Sequence, residues 1–309
     1  MDISEQSFEE TIERGLLSMG PDADAGDAST IREAPPPYGD SPPGGYHRRR
    51  PEDYDRALCL LPNDVADFVL ATQPKEWEKF KNLHGADARD RLLKRLASEV
   101  EKRGTLDVLR KGIKSDGCKF QLAYFRPASG LNEAYRKLHA GNLFAISRQV
   151  HYSLKNENSL DLAIFLNGLP ILTAELKNPL TAQPVQDAVK QYRKDRDPKE
   201  PLFAFGRCLA HFAVDPELVY FTTHLLVFAL TACAAGQTQS EVSADSSSAS
   251  DTASGELANA IQEAANTMVT SAAAVPTLLA ENQEVHADED ELLQAGLFEL
   301  HQLHQRPDL

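Results

Sequence analysis

The chain has 309 residues, enough for one large or two ordinary domains, and its 42% hydrophobic and 25% charged content is that of a protein able to bury a core. The net charge of −14 is concentrated at one end: from Leu225 onward there are 13 acids against a single base, Arg306. The first 224 residues hold 33 acids and 31 bases, so the body is near neutral and free to carry local basic patches for nucleic acid. Four scattered cysteines (Cys59, Cys118, Cys208, Cys233) exclude a C-x-x-C zinc site and argue against a disulfide framework. Free thiols and an N-terminus without basic and apolar signal regions fit a cytoplasmic protein. No G-x-x-x-x-G-K-[ST] loop is present, so the sequence offers no ATP-binding P-loop.

In chain order, Phe8, Ile12 and Leu16 share one stripe of a predicted helix over 7–18. Residues 20–50 contain PPPYGDSPPGG and read as a flexible Pro/Gly-rich loop, setting residues 1–19 apart as an N-terminal helix. Residues 51–104 have helical periodicity with a stop at Gly104. Cys118–Arg126 and Ala145–Tyr152 read as strands, with a turn or short helix between them.

DLAIFL (161–166), Asn167-Gly168 and LPILTAELK (169–177) predict a β-hairpin, because Asn-Gly supplies the positive φ angles of a tight turn. Both strands are apolar on both faces, which predicts a central position covered by helices. Pro184 opens an amphipathic helix, and two apolar strands follow at 207–215 and 217–223. The order of elements implies an α/β sheet flanked by helices, spanning 51–224. Residues 225–309 lack lysine and read as an acidic, low-complexity, partly helical tail that does not continue the sheet. The apolar stretch Leu218–Gly236 contains His224 and several threonines, so no membrane partner is expected.

Asp161, Glu175 and Lys177 stand out as charges in otherwise apolar strands. Buried carboxylates are costly unless paired or bound to a metal, and Mg²⁺ takes one or two carboxylates together with water and phosphate oxygens. Lys177, two residues beyond Glu175, falls on the same strand face and could orient water or offset phosphate charge. A strict two-residue turn would set Asp161 opposite Ala174 and turn Glu175 away. The metal reading therefore requires a bulge or a three-residue turn.

Asp161, thirteen residues, then Glu175-Leu176-Lys177 resembles the D…ExK core of the PD-(D/E)xK nucleases. The text around it is similar to the N-terminal nuclease region of the restriction (R, or HsdR) subunit of type I restriction enzymes. That text comprises KNENSLDLAIFLNGLPILTAELKNPLT, QYRKDRDPKEPLFAFGRCLAHFAVDPELVYFTTHL and EDYDRALCLLPNDVADFVLATQPKEWEKF, and the similarity spans roughly residues 5–224. The resemblance implies a PD-(D/E)xK restriction-endonuclease-like mixed sheet and a Mg²⁺-dependent endonuclease acting on double-stranded DNA. It also implies assembly with modification and specificity subunits. Asp161 and Glu175 would hold the metal, and Asp161, Glu175 and Lys177 would be catalytic. Many relatives carry Gln-x-x-x-Tyr on the next helix. Here Gln191 and Tyr192 are adjacent, and they are the candidates for supporting residues together with Glu9 of the first helix. Arg193, Lys194 and Arg196 could contact phosphates or form a solvated helix end. In the family an ATP-driven helicase motor follows this region, and here the chain runs instead into the acidic tail, as a truncated gene would. The alternative reading is a non-catalytic remnant that binds DNA or partner subunits without cutting.

Overall fold

The computed structural model describes residues 5–17, 21–22, 45–125, 132–177, 185–197, 199–215, 218–223 and 233–234. Helix α1 (Glu5–Leu17) buries Phe8, Ile12 and Leu16, the stripe that its spacing dictates. Strand β1 (Tyr46–Arg49) falls inside the stretch expected to be loop; tertiary pairing makes it a strand, since it lies parallel to a later one. Helices α2 (Pro62–Thr72), α3 (Pro74–His84) and α4 (Ala88–Lys111) follow, the first two each opened by a proline whose missing N–H costs nothing there. Gly104 kinks α4 rather than ending it. Its φ of +77° lets the backbone pass the Gly206 backbone, and the helix resumes as far as Lys111.

The strand expected from Cys118 to Arg126 is shorter. Strands β2 (Ile113–Ser115) and β3 (Cys118–Phe120) make a separate two-stranded ribbon. The chain leaves it at Gln121, whose main-chain N–H and C=O pair with the Gln73 carboxamide at 2.7 and 3.0 Å instead of with a strand. Helix α5 (Glu133–Ala140), capped by Asn132, leads into β4 (Phe144–His151), β5 (Ser159–Leu166) and β6 (Leu169–Leu176). Helix α6 (Val185–Lys190) continues into a π-helical turn over Gln191–Asp195. Strands β7 (Ala210–Val214), β8 (Leu218–Thr222) and β9 (Cys233–Ala234) complete the described chain. Because β9 pairs with β8, two residues of the acidic tail join the sheet edge, against the expected break after His224. The rest of that tail, and the loop over 23–44, lie outside the described residues.

The main sheet has the order β1-β4-β5-β6-β7-β8-β9, with β1/β4 and β6/β7 parallel and the other neighbours antiparallel. Phe8, Ile12, Phe68 and Leu96 form one core with Leu162, Ile164, Leu166, Leu172, Ala174 and Leu176. On the opposite face Val185, Ala188, Tyr192 and Phe203 pack with Ala163, Phe165 and Tyr152. Helices thus cover the β5/β6 hairpin on both sides, which is why neither strand alternates apolar with polar. At the tip of the hairpin, Asn167 and Gly168 take φ +50° and +83°, and Leu166 pairs with Leu169 as a two-residue turn demands.

Candidate functional site

The hairpin leaves its turn in one register and reaches its far end in another. Phe165 pairs with Pro170, but Ile164 pairs with Leu172, so Ile171 is an extra residue in β6. Pro170 has no N–H to give the ladder, and prolines inside sheets collect at such bulges. Beyond the bulge Leu162 pairs with Ala174. That register, carried one residue further, would set Asp161 across from Glu175, the arrangement that the two-residue turn alone forbids; the regular pairing stops at Leu162 and Ala174 because the sheet is irregular at Asp161.

The sheet is also distorted where Asp161 sits. Leu160 and Val150 belong to the core under α6, whereas Leu162 and Ile146 belong to the opposite core, so the pleat reverses between them. The reversal occurs at Gln149, a non-glycine residue with φ +49° inside β4. Asp161 is thereby released from regular alternation. Its Oδ2 accepts the Leu176 N–H at 2.7 Å, and its Oδ1 lies 3.5 Å from the Gln149 Nε2. The same Gln149 nitrogen donates to Glu9 Oε1 at 2.9 Å, while Arg148 Nε donates to Glu9 Oε2 at 3.2 Å. Glu9 of α1 is buried, and burial first, then the charge of Asp161, raises its pKa. The expected helix acid is therefore within electrostatic reach of Asp161.

Glu175 is only 1% exposed. Burial and the neighbouring Asp161 charge push its carboxyl up to about 8, against the opposing pull of Arg196 and Lys177. Arg196 binds it directly: Nε donates to Oε1 at 3.0 Å, and Nη2 donates to the same oxygen. Lys177 is 5% exposed, its N–H donates to Val214 C=O at 2.8 Å, and its charge also acts on Glu175. Two rungs inward, the Thr173 hydroxyl meets Tyr192 Oη at 3.0 Å and His211 Nδ1 at 2.7 Å, all of them buried.

At this end of the hairpin Asp161 and Lys177 each act on Glu175, Asp161 is linked to Glu9 through Gln149, and Tyr192 packs beneath through Thr173. Gln191 is half-buried, and its Oε1 finds no partner among the described residues. Arg196, expected to reach phosphate with Arg193 and Lys194, is turned inward onto Glu175. The Arg193 and Lys194 side chains lie outside the described residues. Sequence reasoning missed the roles of Arg196 and Gln149 in this cluster. Nothing in a sequence links Arg196 to an acid 21 positions away, whereas Pro170 inside an apolar strand was a readable signal for the bulge.

Among the described residues no group of three or more His, Cys, Asp or Glu side chains gathers at one point as a metal cluster. The donor set is instead two carboxylates on neighbouring strands. Two carboxylates are a donor set of the kind Mg²⁺ accepts when water and phosphate oxygens complete its octahedron. Also among the described residues, no helix is long and apolar enough to cross a membrane.

No curated protein and no solved structure matches the chain. A family profile described as the Type I restriction enzyme R protein N terminus (HSDR_N) matches residues 69–225, half of the chain, and this span includes Asp161, Glu175, Lys177 and Arg196. The chain belongs to the family of type I restriction enzyme R-subunit N-terminal domains.

Proposed function

We propose that this chain is a Mg²⁺-dependent DNA endonuclease module of a type I restriction system. One observation supports the reading: the extra residue Ile171 shifts the register so that Leu162 pairs with Ala174, which brings the next residues, Asp161 and Glu175, toward each other, with Lys177 two residues further along the same strand. Asp161 and Glu175 would hold the cation, which when bound supplies Lewis-acid polarisation of the phosphate and a more acidic water. Asp161 is fixed by the Leu176 N–H, and Glu175 by Arg196. Lys177 orients the attacking water or offsets charge growing on the phosphate. Water adds to phosphorus, a P–O ester bond breaks, and the departing oxygen takes a proton. Arg193 and Lys194 are proposed phosphate contacts, which supply affinity without sequence choice. No base-reading element is evident in the sequence, so recognition is assigned to the specificity subunit, in a cytoplasmic complex with the modification subunit and double-stranded DNA.

A second reading, a non-cutting remnant that binds DNA or partner subunits, draws support from the Arg196 guanidinium already bonded to Glu175. Supercoiled plasmid incubated with Mg²⁺, with and without partner subunits and ATP, separates the two. The endonuclease reading expects nicking by the native chain and loss of most of that nicking in Glu175→Ala, which lacks one of the two proposed cation ligands. Equal nicking by both proteins, or none by either under every condition, leaves the remnant.

A further inference from the structure

We infer that Arg196 is a positioning residue, a rigid clamp that holds Glu175 beside Asp161 in the geometry that receives the cation. The inference rests on the reading of Asp161 and Glu175 as metal ligands and adds a residue to it. Three features distinguish the clamp from an ordinary ion pair. First, Arg196 is fixed independently of Glu175. Its Nη1 donates to Tyr152 Oη at 3.0 Å, its Nη2 donates to Ser159 C=O at 3.0 Å, and its guanidinium lies 5.3 Å from the Tyr152 ring centroid. Tyr152 is itself buried, so the anchor does not move freely. Second, both recorded contacts to Glu175 fall on Oε1, so Oε2 lies outside the clamp. Third, the chain reaches Arg196 through the π-helical turn Gln191–Asp195, closed by the Arg196 N–H on Gln191 C=O at 2.9 Å. A π-turn adds a residue to the helix and re-aims whatever follows it. Here it delivers the guanidinium to the sheet.

Charge alone does not describe this arrangement. A lysine would restore one positive charge, but its single ammonium could not bridge the Ser159 carbonyl, the Tyr152 hydroxyl and Glu175 together. Arg196→Lys is therefore the informative variant. Arg196→Met leaves Glu175 buried without its partner and risks misfolding, so the double variant Arg196→Met/Glu175→Gln serves as its folding control.

The test is Mn²⁺ binding to the full chain by isothermal titration calorimetry, well below the melting temperature, with melting in EDTA recorded in parallel. The expected result is that the native chain binds, Asp161→Asn does not, and Arg196→Lys binds at least tenfold more weakly while still melting cooperatively. A merely structural arginine would lower the melting temperature and leave Mn²⁺ affinity unchanged in the folded variant; that outcome, with Asp161→Asn still impaired, overturns the clamp alone. Tighter binding by Arg196→Lys also overturns it, because it would make Arg196 a competitor of the metal. If the native chain binds no Mn²⁺ and matches Asp161→Asn, the metal-ligand reading falls and takes the clamp with it.

Discussion

Asp161 acts electrostatically on Glu175, and its Oδ2 accepts the N–H of the next residue, Leu176, beyond a point where one extra residue, Ile171, has put Leu162 opposite Ala174. The insertion has an electrostatic consequence. Two carboxylates, one of them 1% exposed, stand side by side at the end of an apolar ribbon, with Arg196 and Lys177 as the cations acting on Glu175. Such a pair is unfavourable until more positive charge arrives, so this end of the hairpin carries an electrostatic cost that the proposed cation would relieve.

Removing one of the two charges should relieve the fold and abolish the site together. Asn at position 161 can still accept the Leu176 N–H through its side-chain oxygen, so local structure is retained. In EDTA, Asp161→Asn is expected to match the native chain or exceed its stability by about 1 kcal/mol, a modest share of a near-surface charge interaction. Added Mg²⁺ should raise the melting temperature of the native chain and not that of the variant. Equal Mg²⁺ stabilisation of both proteins would contradict the assignment of Asp161.

The pH dependence of stability follows from Glu175. Its carboxyl is raised from the ordinary 4.5 to about 8, so the folded chain holds this proton more tightly than the unfolded chain. Its stabilising contribution is complete below about pH 4.5 and is lost as pH climbs through about 8. Glu175→Gln has no proton to lose there. Urea denaturation in EDTA at a series of pH values should show the native chain losing ground to Glu175→Gln across that window, by on the order of a few kcal/mol in total. Parallel curves would mean that Glu175 ionises freely in the fold.

The hairpin, its central place and the three charged residues at its end were legible in the sequence, because Asn-Gly and unbroken apolar runs act locally. So was the need for a register shift, although not its position. The contacts that shape the site were hidden for a common reason: they join residues remote in the chain. Gln149 takes a left-handed backbone only within the paired sheet, Arg196 finds Glu175 only after a π-turn, and Tyr46–Arg49 becomes a strand only when β4 offers its edge. Propensity carries no trace of these, since tertiary pairing overrides it.

The layer beneath the site can be probed without touching it. Thr173→Val keeps the side-chain volume but deletes the hydroxyl that bonds both Tyr192 Oη and His211 Nδ1, so each of these buried groups loses one hydrogen bond. The expected cost is about 1–3 kcal/mol in urea denaturation. Mn²⁺ affinity should stay within about twofold of native, because the layer supports the sheet rather than the carboxylates. A larger loss of affinity would move Tyr192 from packing into the chemistry.

The turn itself sets the phase of β6, so damage there should reach the far end of the hairpin. At Gly168 the backbone has φ +83°, and an added Cβ would lie 2.6 Å from both Leu61 C=O and Val65 Cγ2. The Gly168 carbonyl accepts the Leu61 N–H at 2.8 Å, so the turn cannot simply swing away from α2. Gly168→Ala thus combines a backbone strain with a clash against main chain, and a loss above about 3 kcal/mol is expected. Asn167→Ala tests the other half of the turn. It removes the acceptor for the Leu143 N–H (2.7 Å) and the donor to Leu122 C=O (2.8 Å) and Asn142 Oδ1 (3.0 Å), all around a fully buried side chain. If the turn governs register, folded Asn167→Ala should lose Mn²⁺ affinity as well as stability, although it lies a whole strand away from Glu175. Native affinity in a destabilised Asn167→Ala would instead assign the register to Pro170 and the Ile171 bulge alone.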